Sequence, residues 1–137
     1  MKRFLLLAFA GLAALASLPP VLAADFRPFP QADITPAQWQ EYYAEVKREL
    51  GATAKPYPAQ FLIVYVDEPH HMNFAFTTEG HPAHPAWITR LLGERDGAIN
   101  IEQIGYFAGD EEPFKKLYQQ YLDLNDQIKR QANAAGQ

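Results

Sequence analysis

The chain lacks cysteine, and its only serine is Ser17. A mature chain that begins beyond that residue therefore has no serine or cysteine nucleophile. It also has no disulfides to support its fold in an oxidising compartment. No glycine-rich phosphate loop occurs anywhere in the sequence. These absences exclude most familiar hydrolase chemistries, and we expect no cofactor.

Positive charge is also scarce. The whole chain carries a net charge of -4, and removal of Lys2 and Arg3 with the first 23 residues brings it to -6. An acidic protein without basic clusters is unsuited to nucleic acid or to an anionic membrane surface. Apolar residues make up 48% of the chain, too many for disorder. Residues 24–137 are enough for a single domain.

The first 23 residues have the pattern of a secretory signal peptide. A basic Met1-Lys2-Arg3 precedes an apolar run from Phe4 to Leu18, and two prolines separate that run from Val21-Leu22-Ala23. A membrane span needs roughly 20 apolar residues, more than this run supplies. We therefore predict cleavage after Ala23, no membrane anchor afterwards, and a bacterial periplasmic protein, with secretion beyond the periplasm also open.

Two helices are predicted, near the start and end of the mature chain. Thr35 has the position of an N-cap, with Pro36 in the first turn and Gln38 completing a capping box. Apolar residues then recur at helical spacing up to Gly51: Trp39, Tyr42, Tyr43, Val46 and Leu50. A second helix begins near Asp110. We expect residues 24–33 to form an extended lead-in and 132–137 a frayed tail.

Between the helices the sequence predicts strands. Four runs qualify, over residues 61–66, 72–78, 86–95 and 98–107. Asp96-Gly97 joins the last two and is a strong hairpin signal. The expected fold is α+β: a four-stranded antiparallel meander carrying an N-terminal and a C-terminal helix, in the order α-β-β-β-β-α.

The hairpin register predicts which residues share a face. A two-residue turn sets Arg95 opposite Ala98 and Trp87 opposite Tyr106. Both faces are then substantially apolar. If both helices cover the same face, Trp87 and Tyr106 are exposed and mark a binding surface for a periplasmic partner or a self-dimer. If each helix covers one face, the two residues belong to the core.

All four histidines lie between residues 70 and 84, and one pair is flanked by prolines. The loop Gly80-His-Pro-Ala-His-Pro85 fixes the backbone around His81 and His84. Three roles stay open for these imidazoles: hydrogen bonds to loop carbonyls, contact with a ligand or partner, and metal binding. Two histidines do not complete a zinc shell, so a metal would need Glu79 or a more distant carboxylate.

The segment from Phe76 to Ala86 contains the motif Gly-His-Pro-Ala-His-Pro-Ala. It resembles a motif of small exported bacterial proteins of unassigned function. The resemblance implies export and carries no catalytic or binding role.

Together these features favour a small, exported, non-catalytic binding or interaction protein, with His81, His84, Trp87 and Tyr106 as candidate binding residues. The alternatives are a metal-handling protein that uses the His81/His84 loop, and a small enzyme with carboxylate or histidine acid-base chemistry. The triplet Asp110-Glu-Glu112 is the carboxylate cluster for such an enzyme, although capping and the helix dipole also explain it.

Overall fold

The computed structural model describes residues 26–135, so the predicted signal peptide over residues 1–23 lies outside the described residues. Two helices flank five strands. Their bounds are α1 Pro36–Leu50, β1 Lys55–Tyr57, β2 Leu62–Asp67, β3 Met72–Thr77, β4 Ala86–Arg95, β5 Ala98–Phe107 and α2 Glu111–Ala135. In the described part of the chain, no helix is long and apolar enough to cross a membrane.

The strands form one antiparallel sheet in sequential order, which confirms the α+β class. The prediction of four strands was wrong, because Lys55–Tyr57 adds a fifth strand beside β2. A loop was predicted for this segment because it contains Pro56 and Pro58. β1 is an edge strand, however, and an edge strand tolerates a proline because one side of its backbone needs no ladder hydrogen bond.

The last hairpin has the register predicted from its turn. Arg95 pairs with Ala98, and Trp87 pairs with Tyr106. The turn residues Asp96 and Gly97 both have positive φ, the backbone that a two-residue turn joining twisted strands requires. One hairpin face therefore carries Trp87 and Tyr106, and the other carries Ile88.

The two helices pack on opposite faces of the sheet. α1 lies on the Trp87 face, where Tyr42 stacks on the Trp87 ring at 4.5 Å between centroids. α2 lies on the other face, where Phe114 and Ile88 belong to one cluster. Trp87 and Tyr106 are accordingly buried in the core, the second of the two arrangements considered from the sequence.

α2 packs directly against β5. A Cβ atom at Gly105 would lie 2.8 Å from the Phe114 ring, so a residue without a side chain is needed there. The helix continues to Ala135, into the segment expected to fray. A hydrogen bond of 3.1 Å from the Ile99 amide to the Asn133 side chain ties its last turns to β5.

Candidate functional site

The proline-flanked histidine loop connects β3 to β4, and Thr77 anchors it. Thr77 is buried, and its Oγ1 lies 3.0 Å from the amide nitrogen and 3.1 Å from the carbonyl oxygen of Ala86. The same oxygen lies 2.7 Å from Nδ1 of His84. His84 also packs edge-on against the Trp39 ring, at 5.2 Å between centroids. His84 thus fastens the loop to the sheet and to α1.

His81 stabilises the loop in a different way. Its Nδ1 accepts a hydrogen bond of 3.0 Å from the Ala83 amide. Its carbonyl oxygen accepts another, also of 3.0 Å, from the His84 amide. In neutral imidazole only one nitrogen carries a proton, so Nε2 of His81 is the N–H donor. Nε2 has no hydrogen-bond partner among the described residues and is free to donate to a ligand.

Both imidazoles favour the neutral form. Burial lowers the pKa of His81, and the nearby His84 lowers it further. Burial also lowers the pKa of His84, against the opposing effects of a hydrogen bond to Thr77 and the charge of Glu79. At neutral pH the two uncharged imidazoles can therefore form hydrogen bonds at this loop without adding positive charge.

The loop does not have the surroundings of a metal centre. Among residues 26–135, no three His, Cys, Asp or Glu side chains come together in a way that could hold a metal ion. The Nδ1 lone pair of His81 already accepts the Ala83 amide proton. Coordination through Nε2 would move the imidazole proton to Nδ1, where it would face that amide.

The His81 side of the loop borders an apolar groove, which we call the first groove. It lies between residues 59–62, His81-Pro82 and one flank of α2, and has a volume of about 710 Å³, within the usual range for small-molecule sites of roughly 300–1,000 Å³. Its α2 side is lined by Glu112, Pro113, Lys116, Leu117, Gln120, Tyr121 and Leu124. Leu124 is 39% exposed.

Phe61 borders the same groove in an unusual conformation. Its side chain is 45% exposed, and its backbone has φ +55°, the left-handed region that favours glycine or asparagine. The phenyl ring lies over Gly80, where a Cβ would be 2.8 Å from it. The ring is therefore an exposed aromatic surface at the edge of the groove.

The structure separates the four sequence-predicted site residues. His81 lines the first groove, His84 anchors the loop behind it, and Trp87 and Tyr106 are core residues beneath α1. The sequence reasoning missed Phe61 and Leu124. Phe61 was assigned to a strand, and Leu124 lies in the helix predicted to begin near Asp110, so neither stood out as exposed.

Comparison with known proteins adds no precedent for this site: no protein family, curated protein or solved structure matches the chain.

Proposed function

We propose that this protein is an exported, non-catalytic binding protein whose site is the first groove. The observation that carries the proposal is the exposed Phe61 ring, held with a left-handed backbone beside an apolar groove. The unpartnered Nε2–H of His81 supplies a polar group at the same groove. Apolar walls with a few placed polar groups are typical of small-molecule sites.

The lining defines the chemistry of a ligand. Its apolar part would contact Phe61, Tyr121 and Leu124, and a hydrogen-bond acceptor or an anionic group would face His81 and Lys116. Glu112 is the single carboxylate in the lining, and it lies 3.4 Å from Lys115 on the exposed side of α2. We therefore expect an apolar ligand with one acceptor or acidic group.

The compartment is part of the proposal. The signal-peptide pattern of residues 1–23 supports a periplasmic location. The histidine loop contributes rigidity, because the hydrogen bond between His84 and Thr77 and that from the Ala83 amide to His81 fix the loop before a ligand arrives. A preorganised wall lowers the entropic cost of binding.

The test uses 8-anilinonaphthalene-1-sulfonate, which has apolar rings and an acceptor anion, as the probe. A fluorescence titration of residues 24–137 should give one site with a dissociation constant of about 10–100 µM. Phe61→Asn should weaken binding at least about tenfold, because the ring is lost. Its unfolding free energy should stay within about 1 kcal/mol of the parent, because asparagine tolerates the left-handed backbone.

His71→Asn is the matched control. His71 is exposed, follows a short 3-10 turn as Phe61 does, and has φ +57°. The control changes the same kind of backbone position at another hairpin and should leave probe binding unchanged. If Phe61→Asn binds the probe as well as the parent, or if His71→Asn loses binding equally, the first groove is not the site.

A further inference from the structure

The two edges of the sheet differ in how far they are protected. β1 forms one edge, has three residues and carries Lys55 and Pro56, both of which discourage strand pairing. β5 forms the other edge and has ten residues, none of them proline, lysine or arginine. The β5 edge is thus long, and Glu102 is the single charged residue on it.

Hydrogen bonds show which β5 backbone groups point outward. The Phe107 amide donates to the Ala32 carbonyl at 2.8 Å, and the Phe107 carbonyl accepts from the Ile34 amide at 2.9 Å. Phe107 therefore faces away from β4. Because the direction of the backbone groups alternates along a strand, Ile99, Ile101, Gln103 and Gly105 also face outward.

Some of these outward backbone groups already form hydrogen bonds. Asn133 accepts from the Ile99 amide, and the Tyr118 hydroxyl donates to the Gln103 carbonyl at 3.1 Å. The amides of Ile101, Gln103 and Gly105, and the carbonyls of Ile101 and Gly105, have no hydrogen-bond partner within residues 26–135. Gly105 is a buried residue, where unpaired backbone groups are costly.

Gly105 lies in the floor of a second groove, of about 1000 Å³, and Ile101 and Gln103 continue the β5 edge beyond that groove. One wall is the segment 27–32, and the other is the flank of α2 opposite to the first groove. Its floor is residues 104–107 at the end of β5. The apolar side chains on its two walls include Pro28, Phe29, Pro30, Phe114, Tyr118 and Leu122.

We infer that the second groove binds an extended peptide segment of a partner protein, which adds to the sheet as a sixth strand beside β5. The open groups at Ile101, Gln103 and Gly105 supply the ladder hydrogen bonds, and the two walls receive the alternating side chains of the segment. A second copy of this chain fits less well, since its own β5 lies between the same walls. The lining has two positively charged residues, Arg27 and Lys115, and one negatively charged residue, Glu111. Its net positive charge disfavours a basic segment.

This inference does not rest on the first groove, because the two grooves lie on opposite flanks of α2. The probe is the peptide acetyl-Asp-Val-Thr-Val-Thr-Val-Asp-amide, added to ¹⁵N-labelled residues 24–137 at about 1 mM, a concentration at which millimolar or tighter binding is visible. Hydrogen exchange of single amides is then followed by NMR.

At that concentration, exchange at Ile101, Gln103 and Gly105 should slow at least about twofold, the protection that half-saturation by a millimolar ligand gives, since new hydrogen bonds protect their amides. The amides of Ile99 and Phe107 are already bonded and serve as internal controls. The same peptide N-methylated at its three central residues should protect none of them.

Two variants separate backbone pairing from side-chain contact. Ile101→Pro removes one outward amide and should abolish the protection at Gln103 and Gly105, whereas Ile101→Ala should retain it. Unchanged exchange with the peptide would overturn the inference, as would equal protection by the N-methylated peptide. Protection that appears without peptide and increases with protein concentration would also overturn it, because the occupant would then be a second copy.

Discussion

Removing the Thr77 hydroxyl should detach the histidine loop from the sheet. Thr77 is 1% exposed, and its Oγ1 has three polar neighbours: the amide and the carbonyl of Ala86, and Nδ1 of His84. Thr77→Val keeps the size and β-branching of the side chain and replaces the hydroxyl with a methyl group. Ala86 is itself fully buried, so water does not readily replace the lost partner.

The magnitude follows from the groups left unpaired. Each buried backbone group without a partner costs about 1–3 kcal/mol. Two such groups belong to Ala86, while the new methyl group recovers about 0.8 kcal/mol of apolar burial. Thr77→Val should therefore lower the unfolding free energy by about 1–5 kcal/mol, or the melting temperature by about 4–20 °C for a domain of this size.

The assay is urea unfolding of residues 24–137 at pH 7.5, followed by tryptophan fluorescence. Thr77→Ser is the control, because it keeps the hydroxyl and loses one buried methyl group, a change worth about 1 kcal/mol. A Thr77→Val loss below about 0.5 kcal/mol, less than one ordinary hydrogen bond, would refute the anchoring role. Equal losses in the two variants would refute it too.

Three further outcomes are expected. Thr35→Ala should cost about 1 kcal/mol, since the observed capping box loses its side-chain acceptor; a melt unchanged from the parent would contradict this. The lowered pKa values of His81 and His84 mean that the unfolded chain binds more protons, so stability should fall as pH drops below about 6.5. His81→Asn should flatten that fall in thermal melts between pH 7.5 and 5, and an unchanged slope would count against it. Intact mass of the periplasmic protein should match a chain starting at Ala24, whereas full-length chain in the membrane fraction would exclude export.

The features that the sequence predicted well are those with local causes. The start of α1 follows from Thr35, Pro36 and Gln38, and both capping hydrogen bonds are present, at 2.9 and 3.1 Å. The β4–β5 register follows from the Asp96-Gly97 turn, because a two-residue turn fixes every pair that follows. Gly51, where the predicted helix ends, is the C-cap of α1 and begins a short 3-10 turn, with φ -56°.

The features that the sequence left open depend on tertiary packing. Both faces of the β4–β5 hairpin are apolar, so the pattern alone did not decide whether Trp87 would be surface or core. Placement of α1 and α2 on opposite faces decided it. The role of Phe61 was hidden for a related reason: an aromatic residue before a β-branched run is typical of a strand, and only the hairpin geometry turns the ring outward.

One feature of the histidine loop has a local cause and was predicted, whereas another depends on tertiary packing and was not. Its rigidity was predicted from Pro82 and Pro85, yet its hydrogen bonds differ from the expected ones. The imidazole of His81 accepts from an amide, and that of His84 meets a threonine hydroxyl, whereas bonds to backbone carbonyls were expected. Thr77 was placed inside a strand, and no local pattern indicated that its side chain would form hydrogen bonds with the loop.

The most direct test of the central claim is photocrosslinking at the first groove in living bacteria. Phe61→benzoylphenylalanine places a photoreactive group beside the groove. Leu92→benzoylphenylalanine is the control, since Leu92 is 42% exposed and lies outside the lining. After irradiation, intact mass of the periplasmic protein should show a chain beginning at Ala24 with a discrete adduct at Phe61 and none at Leu92. The same adducts at both positions, or none at Phe61, would contradict an exported protein that binds a ligand in this groove.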